Sequence, residues 1–359
     1  TAAAAGALYV SAENAQFDNL FGGPMVVEVI VKDPNRSRTD IAAGEPTVLV
    51  DNQRLRMAQG LDGNWYGYFA DNTDVGVVQA LTTSSSNYPL HFGTDDEPNI
   101  GGSADLTVYS ANTYRAIATS TATVGGDGVI DNPPALSNYN STLGASTACD
   151  ACGQIGITKG DWPFLQTFDF TQEDFDVIYE QAGANEVVTL EHNNNDLDDY
   201  ASLTLDRSQA TQDAQVMLFI VDQALNIDPT DEDVVIFKVA HNGSATNSGV
   251  AFTNGTINFE YTATGTNNYT AASAGFAFDD NGKLLIDMNA AGADVNVLEK
   301  DATADDTVTS ATSGFTYLVF FEDADNTGTF SNVDDNDDAN LEVKSLAKRG
   351  TTATFDYND

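Results

Sequence analysis

Positive charge is what this sequence lacks most. Fourteen Lys and Arg stand against 54 Asp and Glu, a formal net charge of −40 on 359 residues. Pairing every base with one acid would still leave 40 carboxylates without a cationic partner. A polyphosphate would be repelled by such a surface, which excludes nucleic-acid binding. The same repulsion argues against docking on an anionic membrane. No run approaches the roughly 18 apolar residues of a membrane span. Cysteine is nearly absent, with Cys149 and Cys152 alone. Histidine is scarce too: His91, His192 and His241 lie far apart, with no metal-ligand spacing.

What is present is enough for a core. Hydrophobic residues make up 42% of the chain, with 19 Phe, 13 Tyr and 2 Trp, which excludes general disorder. The acid is mostly Asp, 41 against 13 Glu. Asp is a poor helix former and a good turn residue, because its short carboxylate bonds nearby backbone N–H groups. That composition favours strands joined by acidic turns. The surplus carboxylates need water or cations, so the expected setting is an extracellular, cation-rich one.

Along the chain, Met25–Lys32 reads as a strand ending in a turn at Asp33-Pro34-Asn35. Pro46–Val50 and Arg54–Met57 flank Asp51-Asn52 as a hairpin. Asp62-Gly63 before Trp65–Phe69 signals a second one. Phe175–Tyr179 follows a Thr171-x-x-Asp174 capping pattern, but its β-branched Val177 and Ile178 favour strand over helix. Asn193–Asp199 reads as an acidic turn. Gln215–Val221 and Val234–Val239 are strands joined by the loop Asp222–Asp233. Closely spaced strands with Asp, Asn and Gly turns indicate an all-β chain of tandem Ig-like β-sandwich domains with long acidic loops. The expected domains are 1–200, with a loop insertion at about 120–160, and 201–359.

Cys149-Asp-Ala-Cys152 lies inside that insertion. Its polar surroundings favour a small disulfide, with free thiols, a metal site or redox chemistry as alternatives. The sharpest metal signal is Asp323, Asp325, Thr327, Thr329 and Asp334. They match positions 1, 3, 5, 7 and 12 of an EF-hand-type calcium loop, and Gly328 stands at its bend. A solvated acidic turn is the alternative. Asn226, Asp228, Asp231 and Asp233 form a second candidate, and Asp356, Asn358 and Asp359 a third. Arg36, Arg38, Arg54 and Arg56, with Lys32, make a cationic island suited to a neighbouring subunit's carboxylates, unless Asp33, Asp40, Glu45 and Asp51 pair with them first. Of five N-x-[ST] sequons, Asn242, Asn254 and Asn268 share one polar region and are the best glycosylation acceptors. No G-x-S-x-G, H-E-x-x-H or P-loop pattern occurs, so no enzyme is expected.

Several phrases carry a family resemblance. Ala201–Arg207, Ala214–Asp222 and Leu225–Asp233 resemble the Ig-like units of surface-layer proteins of ammonia-oxidising archaea of the thaumarchaeal type. So do Val50–Phe69 and Phe320–Phe330. Lys32-Asp33-Pro34-Asn35 departs from the pattern by lacking the acidic cluster that follows Asp228-Pro229. Family members are longer, so the resemblance implies the N-terminal portion of a secreted, glycosylated, non-catalytic lattice protein that assembles with copies of itself. Negative potential in its gaps would attract and sieve cations, ammonium among them. The alternatives are a calcium-dependent extracellular adhesin or glycan-binding module, and an unrelated secreted protein whose acidity serves solubility.

Overall fold

The computed structural model describes residues 6–23, 25–39, 44–74, 114–116, 164–170, 174–230, 232–238, 284–287, 298–300, 317–334 and 336–357. Within them the chain is mostly strand, in several sheets, with few and short helices. The first half contributes β1 (Leu8–Val10), β2 (Leu20–Phe21), β3 (Val27–Val31), β4 (Thr47–Val50), β5 (Gln53–Leu55), β6 (Ala58–Gln59), β7 (Trp65–Asp71), β8 (Tyr114–Ala116), β9 (Phe164–Phe168), β10 (Asp174–Glu180), β11 (Glu186–His192) and the short helix α1 (Asn194–Asp198). The second half contributes β12 (Ser202–Leu205), β13 (Leu218–Val221), β14 (Val234–Lys238), β15 (Leu284–Asp287), β16 (Leu298–Lys300), β17 (Tyr317–Glu322), β18 (Thr329–Ser331), β19 (Leu341–Val343) and β20 (Thr354–Tyr357). Among the described residues, no helix is long and apolar enough to cross a membrane.

The first sheet runs β1-β3-β7-β9-β8, with β6 also on β7. The second runs β2-β11-β10-β4-β5. One apolar cluster lies between them. Val10, Val27, Val29, Val31, Trp65, Phe69 and Phe168 come from the first sheet, and Phe21, Val48, Val50, Leu55, Phe175, Val177, Tyr179 and Leu190 from the second. In β10 the pattern is visible residue by residue: Phe175, Val177 and Tyr179 are buried while Asp174, Asp176 and Glu180 are exposed. A period of two sends alternate side chains to opposite faces, so this strand has one dry and one wet side.

β3 and β7 are buried on both faces. Trp65 and Phe69 point into the core, and Tyr66 and Tyr68 take the other side with Glu28. That outer side meets the second half of the chain. Val26 N donates to the Ile227 carbonyl at 3.0 Å, and Asn326 Nδ2 donates to the Ser11 carbonyl at 3.1 Å. The third sheet follows there, in the order β12-β13-β18-β17-β14, with β15–β20 and β16–β19 as separate pairs.

Both expected hairpins form. β4 and β5 turn at Asp51 and Asn52, whose φ values of 45° and 62° are the left-handed pair that a tight two-residue turn requires. The β6–β7 turn needs Gly63 at φ 89°, where a Cβ would stand 2.4 Å from the Ser37 carbonyl oxygen. Gly63→Ala is expected to cost about 2 kcal/mol, from the positive φ and the backbone clash together, read as a lower urea midpoint with an unchanged m-value. Phe175–Tyr179 is a strand, as its β-branched residues suggest. Asn193–Asp199 differs from the expected turn: residues 194–198 close one helical turn because Asn193 Oδ1 caps the Asn195 and Asp196 N–H groups at 3.1 and 3.3 Å.

Candidate functional site

Two places gather chemistry-bearing side chains. The first lies where the loop after β13 meets the β17–β18 turn. The sequence pattern places metal ligands at Asp323, Asp325, Thr327, Thr329 and Asp334. Asp323 and Asp325 are exposed. Asp334 caps its own turn, accepting from Asn336 N and Asp338 N, each at 2.9 Å. Thr327 Oγ1 donates to Glu322 Oε1 at 3.2 Å, and Thr329 lies in β18. The carboxylates of Asp323, Asp325 and Asp334 do not converge as a three-ligand group.

The turn is organised instead by Glu322, one residue earlier. Glu322 shares the inward face of β17 with Phe320, two residues before it. Its Oε1 accepts the Thr327 and Gly328 N–H groups at 2.6 and 2.7 Å. Its Oε2 accepts Asp233 N at 3.0 Å. Asp233 is fully buried and accepts Asp228 N at 3.1 Å. Asp228, also fully buried, accepts Thr230 N at 2.9 Å and the Thr230 hydroxyl at 2.6 Å. Asp222 caps the short turn at Gln223–Leu225 through Ala224 N at 2.8 Å, and its other oxygen accepts the Tyr357 hydroxyl at 2.6 Å.

Burial dominates the electrostatics here. It pushes the Glu322 carboxyl up to about 7, against the pull of its N–H donors. Asp233 is pushed well above the ordinary carboxylate range by burial, with Glu322 and Asp228 adding like charge. Two amide oxygens beside them, Asn226 Oδ1 and Gln223 Oε1, are buried with no hydrogen-bond partner among the described residues. Asn226, Asp228 and Asp233 of the second sequence candidate lie together in this nest. Asp231 lies outside the described residues.

The second place is one the sequence did not announce. Asp71 ends β7, Asp74 follows in the helical residues 72–74, and His192 ends β11. Their ligand atoms all lie within 4.8 Å of one another, the one such group of three His, Cys, Asp or Glu side chains among the described residues. Parallel pairing of His192 with Phe21 sets the height of the imidazole, and the Phe21 and Phe170 rings hold it at centroid distances of 5.0 and 5.6 Å. The sequence offered no local spacing here, since about 120 positions separate Asp71 from His192 and only β-sheet topology closes such a gap.

In the cationic island Lys32, Arg38 and Arg54 are exposed and Arg36 and Arg56 half-buried, and part of its charge is paired within the chain. Arg56 Nε donates to both Glu45 oxygens at 2.7 and 2.9 Å, and Arg54 lies 3.7 Å from the same carboxylate. Arg36 donates to the Gly44 carbonyl at 3.4 Å, while its own carbonyl accepts the Trp65 indole N–H at 3.0 Å. The Arg38 carbonyl accepts Gln59 Nε2 at 3.2 Å. Cys149 and Cys152, the sequons Asn242, Asn254 and Asn268, and the terminal Asn358 and Asp359 lie outside the described residues. No protein-family model matches the chain, and no curated protein matches its sequence.

Proposed function

We propose that this chain is a structural protein of an extracellular coat. In this reading two Ig-like β-sandwich units, residues 1–200 and 201–359, tile with copies of themselves into a two-dimensional surface layer. The observation that carries it is the surplus of 40 carboxylates on an all-β scaffold. A sheet of such subunits sets a negative potential in its gaps. Cations concentrate there and anions are depleted, because walls of one sign focus the field. Ammonium would be enriched on the same ground.

Arg54 and Arg56 share one acid, Glu45, and the Arg54 side chain is 49% exposed. The exposed Arg54 guanidinium, 3.7 Å from Glu45, presents its charge to a neighbouring subunit's Asp or Glu. Calcium is the cation proposed, bridging exposed carboxylates such as Asp323 and Asp325 between neighbouring subunits.

Electron microscopy of the secreted protein, with calcium and after chelation, tests the assembly. A regular lattice that dissolves on chelation is expected. Monomers at every calcium level, or isolated rods that bind glycans, would overturn it. Calcium at a hundred times its Kd is expected to stabilise the fold by about 2.7 kcal/mol, seen as a raised Tm.

A further inference from the structure

We propose that Asp71, Asp74 and His192 bind one divalent transition ion of the zinc class. This does not rest on lattice assembly. The claim begins with the imidazole, since carboxylates in so acidic a chain carry little information by themselves. His192 Nε2 is buried and has no hydrogen-bond partner among the described residues. It lies 3.4 Å from Asp74 Oδ2, yet the two are not aligned as donor and acceptor. Two ligand atoms bound tetrahedrally to one zinc, at bonds of roughly 2.0–2.2 Å, stand about 3.3 Å apart. The separation that makes a poor hydrogen bond therefore suits a shared metal.

The two carboxylates are oriented by other groups, as ligands to a metal are. Asp71 Oδ1 accepts Thr73 N at 2.7 Å and Asp74 N at 3.0 Å, which fixes the turn carrying both acids. Asp71 Oδ2 meets Phe170 N at 3.5 Å, a long contact that leaves it able to coordinate. Asp74 Oδ2 accepts Asn194 Nδ2 at 3.3 Å, and Asn194 Oδ1 in turn accepts Gly23 N at 2.7 Å. Gly22 is needed beside it, since a Cβ there would come within 2.5 Å of Asn194 Oδ1. His192 and Asp74 side chains are 12% and 14% exposed, so the site is shielded yet reachable.

Ligand type sets the metal class. Imidazole with carboxylate oxygens suits zinc and its neighbours in the first transition row, whereas calcium and magnesium take oxygen alone. Three protein ligands leave a fourth tetrahedral position for water.

Cobalt(II) titration of the full chain in excess calcium tests this. One equivalent is expected to give the intense visible absorption of four-coordinate cobalt, bleached by one equivalent of zinc. His192→Gln and Asp74→Asn should each lower zinc affinity by more than about tenfold. Replacing His91 and His241 by Gln should leave it unchanged. Weak, six-coordinate-type absorption, displacement by calcium, or equal zinc affinity in His192→Gln would overturn the proposal. The spectrum of the unaltered chain decides the matter even where a variant fails to fold.

Discussion

Phe21→Ala is expected to destabilise the fold by about 4 kcal/mol, through lost burial and the cavity left behind. Phe21 is fully buried. Its ring meets Phe69, Phe170 and Phe175 edge-on at centroid distances of 6.1, 5.6 and 5.8 Å, geometries that favour aromatic pairs. It also stands against the His192 ring, so the core and the proposed metal site share one residue. Phe21→Leu keeps most of the volume and should cost about 1.5 kcal/mol. Urea unfolding followed by tryptophan fluorescence separates the two variants. A loss under about 1 kcal/mol for the alanine variant would mean that the second sheet does not close on this ring.

The second large effect is a loss of stability as the pH rises. Glu28 sits on the covered outer face of the first sheet, and burial pushes its carboxyl from an ordinary 4.5 up to about 7. The Tyr68 hydroxyl, which donates to Glu28 at 2.9 Å, and Lys32 pull the other way. Tyr9 and Tyr66 also feel its charge. In the folded chain Glu28 keeps its proton where the unfolded chain has lost it. Between pH 4.5 and about 7 the native state therefore binds more protons, and stability falls as the pH climbs through that window. The shift corresponds to at most about 3 kcal/mol, present in full below the window and lost above it. Repulsion among the other carboxylates acts in the same direction. Glu28→Gln isolates the local part: its stability advantage over the unaltered chain should grow by up to about 3 kcal/mol between pH 4.5 and 8. Parallel curves for the two proteins would show that Glu28 is already ionised in the fold.

The location of Glu28 explains why its charge becomes unfavourable. Its own N–H donates to Ser11 Oγ at 2.8 Å, and the Ser11 carbonyl accepts Asn326 Nδ2 from the β17–β18 turn. The carboxyl is thus closed in by the second half of the chain. In the sequence, Val27-Glu28-Val29-Ile30-Val31 looks like a strand with one wet face. That wet face is dry because another sheet's loops lie over it, and no local pattern carries that information.

Part of the local physics is legible in the sequence. Asp51-Asn52 announces its turn because short polar side chains tolerate positive φ. The β-branched Val177 and Ile178 favour strand over helix where β10 forms. The abundance of Asp over Glu anticipates an all-β chain with acidic turns. The helical turn after Asn193 was missed since a run of Asn and Asp reads equally as turn or as capped helix. Glu322 is less conspicuous in the sequence than Asp323 and Asp325, although its parity with Phe320 on β17 places it inward.

The sequence alone, then, determined the charge, the strand-rich character and the short hairpins, because each depends on neighbours within a few residues. Only the tertiary structure decided which acids are dry and which side chains meet. Parallel pairing of β7 with β9 and of β11 with β2 joins segments far apart in the chain. Asp71, Asp74 and His192 become one site only after those pairings form, since strand register, not sequence spacing, sets their distances.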